Sequence, residues 1–433
     1  MPAPAFPLLR TRRFGPIFAV QFLGAFNDNL LKFALLFLAS FGLYAAEPGK
    51  TEMLATVATG LFILPYFLFS ALAGQIADAS DKATLVRLIK AAEIFIMLFG
   101  LLGFWLQSVP ILLATLFLMG LQSTIFGPVK YSILPQHLAE REIMGGTGLI
   151  QAGTFVAILS GQLLGGIIQP LQAGMVAAAL AVLGFLASLG VPTAPPTAPG
   201  LKIDYNFLRS TGAILRAVRG PMLWAAMMGI SWFFAVGALL LSQFAPLVSG
   251  VLGSRQEVAT LFLLVFSISV AIGSLAVNKL LRGEVSTRYV PLAALGMGVF
   301  MIDLWVTTST YRITVPGATL EQFVQSEGSW RILGDLAGIA ISGGMFIVPL
   351  YAILQTRSSP QERSRTIAAN NVINAGVTVA VVAALAAILA RGVSITSIVG
   401  LLGLATSAVG LIYWFVLRRI ASPQPQATGA GGD

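Results

Sequence analysis

Asp28 and Lys32 stand four residues apart inside the first long apolar run, Phe14 to about Ser40. They belong to the stretch Phe22-Leu23-Gly24-Ala25-Phe26-Asn27-Asp28-Asn29-Leu30-Leu31-Lys32-Phe33. A charge at the centre of a bilayer costs at least ~3 kcal/mol on insertion scales. A carboxylate and an ammonium kept there serve either each other or a solute that carries charge. In a helix, residues i and i+4 share a face, so the two groups point the same way, and Asn27 and Asn29 add polar atoms beside them. That face reads as the lining of a transport path, with Asp28, Asn29 and Lys32 as binding groups. The plainer reading is a local ion pair that only helps helix packing.

Further polar residues fall inside later apolar runs. Gln122 and Gln151 are candidates to line a cavity, with interhelical hydrogen bonding as the alternative. Lys130 is a candidate cation for a phosphate, or a snorkelling anchor near a helix end. Lys90 and Glu93 open the third run, and Glu93 is expected to pair with Lys90 or Lys130. Asp335 is a candidate for closing an outer gate. Gln243, Asn278, Asn370, Asn371 and Asn374 populate the second half, and Asp303 lies mid-run with no role assigned.

The elements that must position these groups follow from composition. The chain has 433 residues, 57% hydrophobic and 10% charged, with mean hydropathy +0.87. Soluble domains carry roughly a quarter charged residues, so this is a polytopic membrane protein, and its spans use most of the chain. Cysteine is absent, which excludes disulfides and thiolate metal sites. A single histidine, His137, argues against a His-ligated metal. No cleavable signal peptide is evident, because the first apolar run is too long for one.

A span needs ~20 mostly apolar residues. Twelve are expected, at about 14–40, 53–77, 86–107, 109–129, 145–169, 172–191, 221–248, 257–280, 288–310, 332–355, 366–390 and 393–417. Most Lys and Arg outside the spans fall in alternate loops. Arg10, Arg12 and Arg13, then Lys82 and Arg87, the group Lys202 to Arg219, and Arg357 to Arg365 lie on one side. Lys50, Arg255, Arg312, Arg331 and Arg391 lie on the other. The positive-inside rule puts the first set, and both termini, in the cytoplasm. The net charge of +9 is therefore a topology signal and not a nucleic-acid footprint.

The expected divisions are a six-helix half over 1–191, a cytoplasmic linker over 192–220, a second six-helix half over 221–420 and a disordered tail over 421–433. The linker opens with Pro-Thr-Ala-Pro-Pro-Thr-Ala-Pro-Gly, a stiff sequence. It continues into an amphipathic segment, Tyr205 to Arg219, expected as a short helix on the cytoplasmic face. The halves share a weak repeat. Phe126-Gly-Pro-Val-Lys-Tyr-Ser-Ile-Leu-Pro parallels Phe346-Ile-Val-Pro-Leu-Tyr-Ala-Ile-Leu-Gln, and Ile150-Gln151-Ala152-Gly153 parallels Ile373-Asn374-Ala375-Gly376. Parallel repeats of this kind occur in secondary transporters.

Gly74-Gln75-Ile76-Ala77-Asp78-Ala79-Ser80-Asp81-Lys82, with Arg87, joins spans two and three. It resembles the signature cytoplasmic loop of the major facilitator superfamily. Gly74 permits close helix approach, and Asp78 can face a helix N-terminus or an arginine and hold an inner gate shut, with Lys82 and Arg87 as the basic cluster. The equivalent loop in the second half, Gly273 to Arg282, has Val277 in place of the acid.

Together with Gln21 to Asn29, Gly127 to Pro135 and Gly161-Gln162-Leu-Leu-Gly165-Gly166, this loop makes the chain similar to the bacterial lysophospholipid transporter branch of that superfamily. The resemblance covers nearly the whole chain. It implies an all-α fold of twelve transmembrane helices in two six-helix pseudo-repeats, in the inner membrane. It implies alternating-access movement of lysophospholipids, such as lysophosphatidylethanolamine, from the outer to the inner leaflet for reacylation. It implies no catalysis by this chain, no cofactor and no metal, a monomer, and in some relatives a fused acyltransferase. Lys32 or Lys130 suits the lipid phosphate and Asp28 the amine. Two rivals remain: a proton-coupled exporter of drugs or amphiphiles with Asp28 as proton carrier, and a non-transporting anchor for a lipid enzyme.

Overall fold

A computed structural model describes residues 5–39, 43, 48–313, 316–389 and 391–421. Six long helices precede the linker: α1 (Gly15–Leu38), α2 (Pro48–Ala79), α3 (Lys82–Trp105), α4 (Val109–Ser132), α6 (Glu140–Ile167) and α7 (Pro170–Leu189), with the single turn α5 (Leu134–His137) between α4 and α6. The linker carries α8 (Phe207–Ala217). Six long helices follow: α9 (Pro221–Pro246), α10 (Gln256–Leu280), α11 (Val290–Thr310), α13 (Ser329–Arg357), α14 (Arg363–Leu389) and α15 (Ile395–Ala421), with the short α12 (Leu320–Gln325) before α13. The widest disagreements with the expected spans are five residues, at the starts of the second (53 against Pro48) and the fifth (145 against Glu140). The expected span ends at 40 and 390, and the tail from 422 onward, lie outside the described residues.

Local sequence sets where these helices begin. Proline occupies the first turn of α1, α4, α7, α9 and α11, where its missing N–H costs nothing. Asp81 caps α3 by accepting from the Thr84 amide at 2.8 Å, and Asn206 caps α8 by accepting from Arg209 N at 3.0 Å. Pro65, Pro128 and Pro349 lie inside helices, as membrane helices tolerate when neighbours re-satisfy the freed backbone.

Among the described residues, ten helices are long and apolar enough to cross a membrane. The two other long helices, α1 and α3, carry Asn27, Asp28, Asn29 and Lys32, and Lys82, Arg87, Lys90 and Glu93. The chain is a multi-pass membrane protein, and these two helices carry ionisable residues within their length.

Packing repeats between the two sets. In the first, α1 pairs with α6, α2 with α4 and α3 with α7. In the second, α9 pairs with α14, α10 with α13 and α11 with α15. The sets meet through α2 against α14 and α6 against α10, which is again the same relationship read from either side. Small residues make these approaches possible. A Cβ at Gly165 on α6 would sit 2.7 Å from the Leu30 carbonyl oxygen of α1.

The linker is laid across the basic end of the bundle. Lys82 N donates to Ala194 O at 2.9 Å and Thr197 N to Asp78 O at 3.0 Å. Ala194 N donates to Asp81 Oδ2 at 2.9 Å. Burial pushes the Asp81 carboxyl up, but the bonds from the Thr84 and Ala194 amides outweigh it and hold the group below its ordinary value. Helix α8 packs on α2 and α14, with Ser210 and Ile214 buried and Leu208 exposed. Its start is pinned by the Arg209–Asp204 pair at 2.6 Å, which holds the Asp204 carboxyl below the usual carboxylate range.

Candidate functional site

A cavity of about 370 Å³ lies between the two sets, within the ~300–1,000 Å³ range of small-molecule sites. The first set contributes Phe62, Ile63 and Tyr66 from α2, Gly127, Lys130 and Tyr131 from α4, and Gln151, Thr154, Phe155 and Ile158 from α6. The second contributes Phe234 and Ala238 from α9, Tyr351 from α13, and Asn371, Asn374, Ala375 and Thr378 from α14. Aromatic and aliphatic walls thus surround a few polar groups. Lys130 is one of them. Its Nζ sits 5.0 Å from the centroid of the Tyr131 ring, and it makes no ion pair among the described residues. A partly exposed ammonium facing an apolar-walled cavity can receive an anionic headgroup. Gln151 accepts from the Tyr131 hydroxyl at 3.0 Å, while its amide nitrogen is buried with no partner among the described residues.

Behind this wall lies a network on α1, α3 and α4. Lys90 and Glu93 are 0% and 2% exposed and pair at 2.5 Å. The Glu93 carboxylate also accepts from Gln122 Nε2 at 2.8 Å and Asn27 Nδ2 at 3.2 Å. Three donors on one carboxylate are what a buried ion pair needs to offset its desolvation. Ser123 Oγ, next to Gln122, donates to Asp28 Oδ2 at 2.9 Å. Asp28 also feels the charges of Glu93, Lys90 and Lys130.

The basic end is closed by bonds between the sets. Asp78, at the last turn of α2, accepts from the backbone amides of Ser364 at 3.0 Å and Arg365 at 3.2 Å, and from Arg365 Nε at 3.2 Å. Those amides belong to the first turn of α14, which has no intrahelical acceptors for them and carries the positive end of the helix dipole. Ser364 Oγ donates to Ser132 Oγ at 2.9 Å, and Gln355 Nε2 to Thr147 Oγ1 at 2.9 Å. A Cβ at Gly74 would sit 2.7 Å from that of Ala368 and 2.9 Å from the Arg365 Cα, so only glycine lets α2 come this close.

Two six-helix sets, a cavity between them and an acid of the α2–α3 connection docked on a helix start of the other set form one pattern. Residues 17–320 match the Major Facilitator Superfamily. The chain belongs to that superfamily. It is similar to the lysophospholipid transporter LplT of Enterobacter sp. (strain 638), 28% identical over 372 residues, covering 82% of each chain. It is also similar to the LplT of Yersinia pestis (strain Pestoides F), 27% identical over 366 residues, 81% of this chain and 80% of that one.

Among solved structures it is similar to a bacterial homologue of the iron transporter ferroportin in its outward-facing state, with TM-score 0.67, 14% identity and coverage of 93% and 99%. It is equally similar to the human organic anion transporter MFSD10 (TETRAN), with TM-score 0.67, 16% identity and the same coverage. At these identities the structural likeness concerns the fold. The chain is a transporter by family and not an enzyme.

Within this superfamily architecture the sequence candidates separate. Lys130 and Gln151 line the cavity; Asp28, Asn29, Lys32 and Gln122 do not. Asp28 and Lys32 make no ion pair with each other, because Asp28 turns to Ser123 of α4. Asn29 donates to Ala25 O and accepts from Gln162 Nε2 at 3.2 Å, tying α1 to α6. Gln122 takes the interhelical alternative, and Glu93 pairs with Lys90 and not Lys130.

Among the residues expected to gate, Gly74 and Asp78 sit between the sets. Lys82 reaches Thr197 Oγ1 in the linker instead (3.5 Å), and Arg87 reaches Val191 O just before it (3.1 Å). Asp335 lies with Asp303 and Arg331 of its own set, and Asp303 and Arg331 form an ion pair. Sequence reasoning missed Phe62, Tyr66, Phe155 and Phe234. In a chain with 28 phenylalanines, nothing in type or spacing singles these out. The repeat did hold a signal, since Gln151 and Asn374, matched by it, both face the cavity.

Proposed function

We propose that this protein moves lysophospholipids, such as lysophosphatidylethanolamine, from the outer to the inner leaflet of the bacterial inner membrane, where an acyltransferase reacylates them. The observation that carries the reading is an ammonium, Lys130, with no ion pair among the described residues, set in a cavity with phenylalanine and isoleucine on its walls. One charged group beside a long apolar surface is the complement of a phosphate beside a single acyl chain. The relatives' names support the same cargo.

Asp28 stands behind the lining, bonded to Ser123, and its charge acts on the Lys130 ammonium in the cavity wall. The two six-helix sets act as rocking halves about the cavity, as a monomer with both termini in the cytoplasm. The basic end is then the cytoplasmic side, and its closure by Asp78 corresponds to the outward-facing state.

Uptake of labelled lysophosphatidylethanolamine into spheroplasts tests this. Wild type takes up label with or without an uncoupler, and Lys130→Ala and Asp28→Asn reduce uptake. If neither variant matters, the cavity is not the path. If the uncoupler abolishes transport, the proton-coupled exporter reading replaces this one.

A further inference from the structure

A second cavity, of about 460 Å³, lies at the end of the bundle opposite the linker, between the C-terminus of α11 and the N-terminus of α13. It shares no lining residue with the central cavity. Arg312 and Glu327 both line it, and neither forms an ion pair among the described residues, even with the other. Arg331, in the same wall, is already paired with Asp303. Tyr311 and Ser326 add hydroxyls that bond to each other at 2.8 Å.

Depth is marked by Tyr311 in the wall and Trp330 beside it, 70% exposed. Such amphipathic rings gather where hydrocarbon meets headgroups. From the cavity toward the bilayer centre, Val306 and Val299 lie two turns apart on α11, both exposed. Opposite charges lining one cavity without an ion-pair partner among the described residues fit a ligand carrying both signs, and Val306 and Val299, with Asp303 between them neutralised by Arg331, offer apolar contact to a chain attached to it.

We infer that this cavity binds the zwitterionic phosphoethanolamine headgroup of a membrane lipid, with the phosphate on Arg312, the ammonium at Glu327 and an acyl chain along Val306 and Val299. A singly anionic headgroup satisfies Arg312 but is repelled by Glu327. The site is independent of the cargo proposed for the central cavity.

The test uses the full purified chain in lipid nanodiscs and photoactivatable lipids with the reactive group in the acyl chain, mapped by peptide mass spectrometry. Three probes are compared: diacyl phosphatidylethanolamine, lysophosphatidylethanolamine and phosphatidylglycerol. The expected result is ethanolamine-lipid labelling of residues 299–331, reduced at least fivefold in Arg312→Ala and in Glu327→Gln, with phosphatidylglycerol labelling several-fold weaker and raised by Glu327→Gln. Labelling by both ethanolamine probes assigns the site to the headgroup whatever the chain number, and labelling by one alone assigns it to that lipid. Unchanged ethanolamine labelling in both variants, or equal labelling by phosphatidylglycerol in the wild type, overturns the proposal. Both residues are exposed. Labelling of the central-cavity helices serves as the fold control, and if Arg312→Ala fails it, Arg312→Gln takes its place under the same criteria.

Discussion

Tyr131 of α4 and Tyr351 of α13 stack with ring centroids 4.3 Å apart and planes 16° apart, one ring from each six-helix set. Both line the central cavity, and both belong to the repeated segment that closes the corresponding helix in each half of the sequence. Symmetry-related residues thus meet near the basic end and form part of the cavity's boundary there. An aromatic pair is worth ~0.5–1.5 kcal/mol beyond its area, so this contact biases the closed basic end without locking it.

That bias is measurable. The chain has no cysteine, so a single introduced one reports access cleanly. With Ser132→Cys as reporter, Tyr131→Ala and Tyr351→Ala each raise labelling from the basic end, and the double variant raises it by less than the product of the two. Multiplicative effects would show that the rings do not act as a pair.

Asp78→Ala leaves the Ser364 and Arg365 amides in the first turn of α14 without their acceptor and takes one acceptor from the Arg365 guanidinium, which keeps Gln361 O at 2.9 Å. Leaving a buried donor unsatisfied costs ~1–3 kcal/mol, and that cost falls on the closed state. The expected outcome is a shift of the population toward an open basic end, read by the same Ser132→Cys reporter and by loss of net uptake. Unaltered reporter labelling would rule out Asp78 as the latch.

Lys130→Arg keeps the charge and Lys130→Ala removes it. If Lys130 receives the phosphate, uptake survives largely in the first and falls about tenfold or more in the second, because loss of a charge-assisted hydrogen bond costs ~1.5–3 kcal/mol. Equal loss in both variants would point to packing against Tyr131 instead.

The Lys90–Glu93 pair predicts non-additive stability. Glu93→Gln and Lys90→Met each strand a buried charge and lower the melting temperature in detergent. Lys90→Met combined with Glu93→Gln removes both charges and loses less than the sum of the two. Simple additivity would mean that the two groups do not depend on each other.

Asp81 links pH to linker docking. Its folded pKa lies below the ordinary carboxylate value, so its contribution is present above an unfolded pKa of about 3.9 and is lost as pH falls through the depressed folded value. Between pH 7 and 5, amide exchange at residues 192–198 is expected to stay protected once corrected for intrinsic rates, and Asp81→Ala to lose ~1 kcal/mol of that protection. Equal protection in Asp81→Ala would remove the carboxylate from the docking account.

The sequence by itself determined the membrane class, the twelve long helices and the family. Insertion into a bilayer is decided locally, by ~20 apolar residues at a time, and the loop around Asp78 states its chemistry in order along the chain. Orientation of polar groups inside the bundle was not legible in that way. Asp28 and Lys32 share a helical face, yet Asp28 turns to Ser123, which is 95 residues away. Gln122 and Gln151 look alike in sequence, yet one braces Glu93 and the other faces the cavity.

Only the tertiary structure decided these cases. A buried polar atom takes whichever partner the neighbouring helix brings within about 3 Å, and helix rotation and crossing set that partner through packing contacts scattered over hundreds of residues.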